Sequence, residues 1–224
     1  MKVFKYIINY ITVLKKRETG DSLEQYFTNN PNLKSELRTI IYKHEGETLT
    51  FYSDNGVFSK DKLDFGSTLL LDTLLKNINN NEILNILDIG CGYGYIGISI
   101  AKLLNAHVTM CDVNKRALHL AEKNCIENGV EKSCQVLESN IYENITDIYD
   151  LIITNPPIRA GKNVVYGILD GARDYLKEDG ELWMVIRKDQ GAKSTITHLN
   201  ENYKCEIVEK SKGFYIIKAK KHWQ

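Results

Sequence analysis

From residue 83 onward, the sequence alternates between strand-like and helix-like apolar runs. The strand-like runs are ILNILDI, HVTMCDV, SCQVLE, DLIITN and ELWMVIR, and the helix-like runs are YIGISIAKLL, RALHLAEKNCIEN and VVYGILDGARDYL. Alternation of this kind is typical of a parallel sheet with helices on both faces. Two last runs, YKCEIVEK and GFYIIKAK, lie close together around Lys212 and predict an antiparallel edge hairpin. The sequence therefore predicts an α/β fold with a mostly parallel, seven-stranded sheet.

The segment ahead of this alternation predicts two smaller elements. Alternating apolar residues in RTIIYKH and LTFYSD, split by Glu45-Gly46-Glu47, predict a β-hairpin, and a helix is predicted over Leu69 to Ile78. Residues 1–24 are interpreted as an N-terminal appendage, helical or flexible, and residues 25–224 as the main domain. The first 22 residues are too interrupted to span a bilayer and lack the cleavage site of a signal peptide, so no membrane association is expected.

Composition excludes some classes and leaves others open. With 224 residues, 43% of them hydrophobic, the chain is suited to one globular domain. The 29 basic and 29 acidic residues balance, although both ends are lysine-rich, which fits either solubilising tails or steering of a phosphate backbone. Five cysteines without CxxC spacing indicate reduced thiols in a cytoplasm. The five histidines lack the spacing of metal ligands, and no metal is expected.

A glycine-rich turn joins the first strand of the alternation to a helix. In NILDIGCGYGYIGISIA, Gly90, Gly92 and Gly94 allow a ligand close to the backbone, and free amides at the helix start favour an anionic group. The same letters satisfy the dinucleotide fingerprint, but Asp88, placed before the first glycine, would repel a pyrophosphate and can accept a hydrogen bond from an ammonium group. Asp112 closes the next strand, where it is interpreted as a ribose ligand or as a turn or helix-capping residue.

The apolar run DLIIT is followed by Asn155-Pro156-Pro157-Ile158-Arg159-Ala160-Gly161-Lys162. An Asn-Pro-Pro segment at the end of a parallel strand places an amide side chain and a rigid carbonyl where open α/β folds bind ligands. Such a pair of acceptors suits a planar amine. Asn140, which follows the third strand, is interpreted either as an adenine contact, with Ile141 as ring neighbour, or as a turn residue.

These blocks resemble the class I S-adenosylmethionine methyltransferases, specifically the small methyltransferase group that contains the bacterial RsmC-type ribosomal RNA guanine-N2 methyltransferases. GVFS with DFGS, LDIGCGYGYIG, and NPPIRAGK with the later RKDQGA carry the resemblance, which extends over most of the chain. The resemblance implies a Rossmann-like methyltransferase domain that uses S-adenosylmethionine, releases S-adenosylhomocysteine and needs no metal. It also implies ribosomal RNA or the small ribosomal subunit as the partner of a cytoplasmic monomer.

The resemblance assigns roles to individual residues. The implied cofactor-binding residues are Phe58, Asp88, Gly90, Gly92, Gly94, Asp112, Asn140 and Asn155, with Asp88 toward the methionine end, Asp112 at the ribose and Asn140 at the adenine. The implied catalytic residues are Asn155, Pro156, Pro157 and Ile158. The implied substrate-binding residues are Ser59, Arg159, Lys162, Arg187 and Lys188, although each cation is equally compatible with a solvated surface charge.

Two departures from the family's pattern bear on the substrate. Ile158 stands where many amino-methyltransferases carry an aromatic residue, which favours a guanine over an adenine or a protein glutamine. The larger RsmC-type proteins also have a second, degenerate domain at the amino end, for which this chain has no room. Methylation of adenine, transfer RNA or a protein glutamine, a catalytically inactive module that binds S-adenosylmethionine or RNA, and a nicotinamide dehydrogenase remain as alternatives.

Overall fold

The computed structural model describes residues 33–78, 82–104 and 106–221. The predicted appendage, residues 1–24, lies outside the described residues, as does His222. The strands are β1 (Arg38–His44), β2 (Glu47–Ser53), β3 (Asn85–Ile89), β4 (His107–Asp112), β5 (Cys134–Glu138), β6 (Tyr149–Thr154), β7 (Leu176–Arg187), β8 (Tyr203–Ser211) and β9 (Phe214–Lys221). The helices are α1 (Phe65–Asn77), α2 (Tyr95–Leu103), α3 (Lys115–Glu127), α4 (Lys162–Tyr175) and α5 (Ala192–Leu199), with 3-10 turns at Ile158–Ala160 and Lys188–Gln190.

The main sheet has seven strands in the order β5-β4-β3-β6-β7-β9-β8. Every pairing from β5 to β7 is parallel, whereas β9 runs antiparallel to both β7 and β8. The predicted fold class, a mostly parallel sheet with an antiparallel edge hairpin, is confirmed. The sequence pattern missed α5, an eight-residue helix with too few turns to display an apolar periodicity.

Helices cover both faces of this sheet, which separates two apolar cores. Residues on the central strand β3 alternate between them: Ile86 packs with α1, α2, α3 and the β1–β2 hairpin, and Leu87 packs with α4 and α5. Because both faces are buried, the parallel strands read as continuous apolar runs in the sequence.

The β1–β2 hairpin forms as predicted and is held against α3 by two asparagines. Its two-residue turn, Glu45-Gly46, has positive φ at both positions, the conformation that matches the twist of the flanking strands. Asn124 donates to the Tyr52 carbonyl at 3.0 Å and accepts from the Tyr52 amide at 2.7 Å. Asn128, one helical turn later, bonds Thr50 in the same way at 2.8 and 3.0 Å. These bonds satisfy backbone groups at the outer edge of β2, with which no strand of the described residues pairs.

Strand order creates a switch point between β3 and β6. From β3 the chain moves outward through β4 to β5, and then returns to place β6 on the other side of β3. In open α/β sheets, ligands bind in the crevice at the carboxyl ends of the strands where the order reverses. The glycine-rich turn follows β3 and the Asn-Pro-Pro segment follows β6, so both predicted motifs lie at this crevice.

Candidate active site

The glycine-rich turn leaves open space beside its backbone. Gly90 has φ +73° and Gly92 has φ +57°, and a Cβ atom added at either residue would meet nothing within 4 Å. Gly94 differs, because an added Cβ would lie 2.6 Å from Ile98 Cδ1 and 3.3 Å from Ala121 Cβ. The first two glycines therefore provide a cradle that a ligand can fill. Gly94 is instead required by the packing between α2 and α3. The predicted contact of Gly94 with a cofactor stays a prediction.

Asp88 lies beneath this turn rather than on its surface. Its side chain is buried, and Oδ2 accepts a hydrogen bond from the Gly97 amide at 3.0 Å in the first turns of α2. Burial raises the pKa of Asp88 to about 7; the Gly97 amide opposes this shift and the charge of Asp112 adds to it. Asp88 thus supports the glycine-rich turn, and its predicted contact with the methionine end of a cofactor stays a prediction.

Asp112 braces the same turn from the end of β4. Oδ2 accepts from the Gly92 amide at 2.9 Å and Oδ1 from the Asn114 amide at 2.9 Å. The helix N-cap is Asn114, whose side chain accepts from the amides of Arg116 and Ala117, so Asp112 does not cap α3. Burial raises the pKa of Asp112, although the bonds from Asn114 and Gly92 oppose the shift. Its position beside the open glycines is compatible with the predicted ribose contact.

Three further predicted residues surround the crevice. Asn140 lies half-buried in the turn after β5, where its carbonyl accepts from the Glu143 amide at 3.2 Å. Ser59 has φ +55°, and its hydroxyl donates to the Lys62 carbonyl at 2.6 Å, which fixes the turn before α1. Phe58 is 44% exposed. Their contacts with cofactor and substrate stay predictions.

The Asn-Pro-Pro segment is fixed to the end of β3 by a buried hydrogen bond. Thr154 Oγ1 donates to the Ile89 carbonyl at 2.9 Å, which places Asn155 beside the glycine-rich turn. The Pro156 carbonyl already accepts from the Ile158 amide at 2.8 Å. A carbonyl oxygen has two lone pairs, so one acceptor position remains for the amine that the sequence predicts there.

The orientation of the Asn155 amide is set by residues to which the sequence alone assigned no role. Asn155 Nδ2 donates to Asp64 Oδ2 at 3.1 Å and to Ser67 Oγ at 2.8 Å. A carboxylate only accepts hydrogen bonds, so Asp64 requires that Asn155 Nδ2, and not Oδ1, faces it. Asn155 Oδ1 then points away from Asp64 and remains an acceptor. The same Asp64 oxygen accepts from the Ser67 amide at 2.8 Å and caps α1, which begins at Phe65 rather than at the predicted Leu69.

The predicted substrate-binding cations form two groups. Arg159, in the 3-10 turn before α4, and Lys162, the first residue of α4, are exposed. Arg187 ends β7 and Lys188 follows it; both are exposed, and Arg187 forms a bidentate ion pair with Asp189 at 2.8 and 3.0 Å. All four lie at or beyond the carboxyl ends of β6 and β7. Their predicted phosphate contacts stay predictions.

Other features of the described residues lie away from this crevice. A cavity of about 430 Å³ opens at the opposite edge of the sheet, beside His107, Lys132 and Tyr149. Within residues 33–78, 82–104 and 106–221, no helix is long and apolar enough to cross a membrane. Across the same ranges, no group of three or more His, Cys, Asp or Glu residues could hold a metal ion.

Comparison with known proteins decides the family. The family model described as "Methyltransferase small domain" matches residues 48–218, which contain the glycine-rich turn, Asp64 and the Asn-Pro-Pro segment. The chain belongs to the methyltransferase small family. The predicted resemblance and the methyltransferase class are thereby confirmed, and a nicotinamide dehydrogenase is excluded.

Two relatives of this chain differ in how much of their own length it covers. The uncharacterized protein YbxB of Bacillus subtilis (strain 168) is 43% identical over 203 residues, covering 88% of this chain and 98% of that protein. Ribosomal RNA small subunit methyltransferase C of Mannheimia succiniciproducens is 41% identical over 162 residues, covering 70% of this chain and 46% of that protein. This chain therefore spans about half the length of its RsmC-type relatives.

Solved structures agree on the fold. The T. thermophilus 16S rRNA methyltransferase RsmC, in complex with AdoMet and guanosine, superposes with a TM-score of 0.74 at 24% identity, covering 86% of this chain and 52% of that one. The ribosomal protein L11 methylase of Lactobacillus delbrueckii subsp. bulgaricus gives a TM-score of 0.62 at 18% identity, covering 73% and 86%. Both comparisons confirm the Rossmann-like methyltransferase fold.

Proposed function

We propose that this protein is an S-adenosylmethionine-dependent methyltransferase that acts on the 2-amino group of a guanine in 16S ribosomal RNA. The observation that carries the proposal is the fixed amide of Asn155, whose Nδ2 is bound by Asp64 and Ser67 beside the open glycine-rich turn. An acceptor held in one orientation suits an exocyclic amine, which must be aligned with a methyl donor.

The residues present fit S-adenosylmethionine. The open space beside Gly90 and Gly92 accommodates a ligand against the backbone, and the half-buried Asp112 beside them provides a carboxylate as acceptor for ribose hydroxyls. When bound, S-adenosylmethionine supplies a methyl group on a positively charged sulfur. The chain contributes alignment and local electrostatics, which preorganised sites provide without rearrangement during the reaction.

Two acceptors of this chain orient the target amine. Asn155 Oδ1 accepts one N–H of the amine, and the second lone pair of the Pro156 carbonyl accepts the other. With both protons engaged, the nitrogen lone pair is directed away from the protein acceptors and toward the methyl donor. Asp64 and Ser67 are positioning residues in this scheme, because they act through Asn155 and not on the amine.

The guanine assignment rests on Ile158 and on the relatives. Ile158 is half-buried and presents an aliphatic face after Asn-Pro-Pro, without the aromatic residue expected of adenine or glutamine enzymes. The relatives named as small-subunit ribosomal RNA methyltransferases support an RNA target. A guanine inside a duplex is hidden, so the target has to be unpaired or extruded, at a cost of a few kcal/mol.

Transfer of labelled methyl groups tests the proposal. Purified protein is incubated with labelled S-adenosylmethionine and small ribosomal subunits, naked ribosomal RNA, transfer RNA or protein, each prepared from cells that lack this protein. Expected is label in ribosomal RNA, recovered as 2-methylamino-guanine. Asn155→Ala should abolish transfer and bind S-adenosylmethionine normally. The control is Asn77→Ala, which removes a side-chain hydrogen bond to the Thr73 carbonyl at the other end of α1 and should stay active.

The remaining outcomes separate the alternatives. Label confined to adenine, transfer RNA or a protein glutamine would keep the chemistry and overturn the guanine assignment. Cofactor binding with no label in any fraction would overturn catalysis and favour an inactive module. A fully active Asn155→Ala variant would refute the mechanism.

A further inference from the structure

Two phenylalanines and three cations form a continuous surface at the end of β7 and the β8–β9 turn. We call this the aromatic–basic surface and define it as Phe65, Arg187, Lys188, Lys212 and Phe214. The rings of Phe65 and Phe214 lie 5.4 Å apart at 56°. The Lys212 ammonium lies 4.7 Å from the Phe65 ring centre, and the Arg187 guanidinium 5.5 Å from that of Phe214.

Backbone contacts fix this surface to the protein. A Cβ atom added at Gly66 would lie 2.9 Å from Phe214 Cε1, so the absence of a side chain allows the Phe214 ring to rest on the first turn of α1. The Lys188 amide donates to the Gly213 carbonyl at 2.8 Å, which ties the segment after β7 to the β8–β9 turn. The surface is thus built on helix and strand ends rather than on an isolated loop.

The aromatic–basic surface adjoins the candidate active site. Phe65 directly follows Asp64, the residue that binds the Asn155 amide. On the other side, Arg187 ends β7 three residues after Met184, which pairs with Thr154 at the end of β6. A polymer whose target nucleotide reached Asn155 would therefore pass over these residues.

Exposure and charge indicate what binds there. Phe65 is 37% exposed, although it is a large apolar side chain. In the described part of the chain, Arg187 is paired with Asp189, whereas Lys188 and Lys212 have no carboxylate within ion-pair distance. An exposed aromatic ring beside unneutralised cations is typical of surfaces that stack bases and hold phosphates.

We propose that the aromatic–basic surface binds a single-stranded RNA segment that flanks the target nucleotide. A base stacks on Phe65, and Lys188 and Lys212 contact the neighbouring phosphates. The Lys212 side chain, which lies over Phe65 in the free protein, moves to a phosphate when a base takes its place. A duplex does not expose base faces, so the surface selects unpaired RNA. This inference rests on the proposed function for the nature of the polymer.

Binding of a labelled RNA tests the inference. The probe is a fluorescein-labelled, 12-nucleotide single-stranded RNA of mixed sequence, titrated with the full chain at several salt concentrations; its duplex form is the comparator. Phe65→Ala and Lys212→Glu are the test variants. Lys123→Glu is the matched control, because Lys123 also lies over an aromatic ring, 3.9 Å from the centre of Tyr52, but on the opposite side of the molecule near the β1–β2 hairpin.

Each outcome decides the inference. We expect the affinity to fall about tenfold or more in Phe65→Ala and Lys212→Glu, and less than twofold in Lys123→Glu. The slope of log affinity against log salt concentration should become shallower by about 0.7 for each phosphate contact that is lost. Equal losses in all three variants, or tighter binding of the duplex, would overturn it. Binding of polyglutamate in place of RNA would assign the surface to an acidic protein and also overturn it.

Methyl transfer distinguishes this failure from failure of the proposed function. If the wild-type chain methylates RNA while Phe65→Ala and Lys212→Glu bind and react normally, only the aromatic–basic surface is refuted. If single-stranded RNA binding depends on these residues but no RNA is methylated, the surface stands and the proposed function fails.

Discussion

Replacing Asp64 with alanine should slow methyl transfer by releasing the amide of Asn155. The Asp64 carboxylate lies 3.1 Å from Asn155 Nδ2 and can only accept a hydrogen bond. Ser67 Oγ, at 2.8 Å, can donate or accept, and would tolerate the amide in either orientation. Asp64 alone therefore requires the observed orientation of the Asn155 amide, in which Oδ1 is the acceptor for the proposed substrate.

The magnitude follows from the strength of one charge-assisted hydrogen bond. Such a bond contributes about 2 kcal/mol, which corresponds to a rate decrease of about 30-fold if the amide must adopt the observed orientation to react. Asp64→Asn keeps an oxygen for the Ser67 amide and for Asn155 but loses the charge, so we expect a decrease of about fivefold. Ser67→Ala should cost about threefold or less.

The assay measures the single-turnover rate of methyl transfer together with the affinity for S-adenosylmethionine. The affinity should stay within twofold in all three variants, because none of these side chains belongs to the glycine-rich turn. Asp64 also caps α1, so its alanine variant should lose about 1 kcal/mol of stability. Thr73→Ala is the control for stability, since it removes a hydroxyl bond to Leu69 within the same helix and far from Asn155.

Two results would refute this reasoning. A wild-type rate for Asp64→Ala would show that the orientation of Asn155 does not limit the reaction. A rate decrease in Thr73→Ala equal to that in Asp64→Ala would show that both variants act by loosening α1. Asp64→Asn separates the two explanations again, because it retains a good helix cap.

Three further predictions concern the turn, its buried acid and the hairpin. Gly92→Val should weaken S-adenosylmethionine binding more than about tenfold, measured by calorimetry, since its side chain would fill the open cradle at φ +57°; an unchanged affinity would exclude this turn as the cofactor site. Burial raises the pKa of Asp88 from 3.8 to about 7, so the folded state binds a proton that the unfolded state releases, and stability should fall as pH rises from about 4 to 7. Asp88→Asn keeps an acceptor for the Gly97 amide but does not titrate. The difference in melting temperature between this variant and the wild-type chain should therefore increase in the variant's favour from about pH 4 to 7. Parallel curves of melting temperature against pH would contradict the raised pKa of Asp88. Asn124→Ala should lower the free energy of unfolding by about 3 kcal/mol in urea titration, because it strands buried backbone groups of Tyr52 and Tyr93; a loss below about 1 kcal/mol would mean that water replaces the amide.

Local sequence pattern determined the fold class of this protein and the edge of the sheet at which its predicted site residues lie. Apolar periodicity is a property of neighbouring residues, so the alternation from β3 to β7 predicted the parallel sheet, and Glu45-Gly46 predicted the hairpin turn. The ends of parallel strands meet at one edge of a sheet, so the glycine-rich turn and Asn155 were expected together. The helix α5 escaped prediction because eight residues give barely two turns of periodicity.

Only the tertiary structure decided how these residues are held. Asp64 and Ser67 lie 91 and 88 residues before Asn155, and their hydrogen bonds to its amide exist because β6 returns to the side of β3 while α1 packs across β7 and β9. Gly66 and Phe214 meet for the same reason. Contacts at such separations depend on strand order and helix placement, which no local pattern encodes, whereas the alternation of strands and helices is written in the spacing of apolar residues.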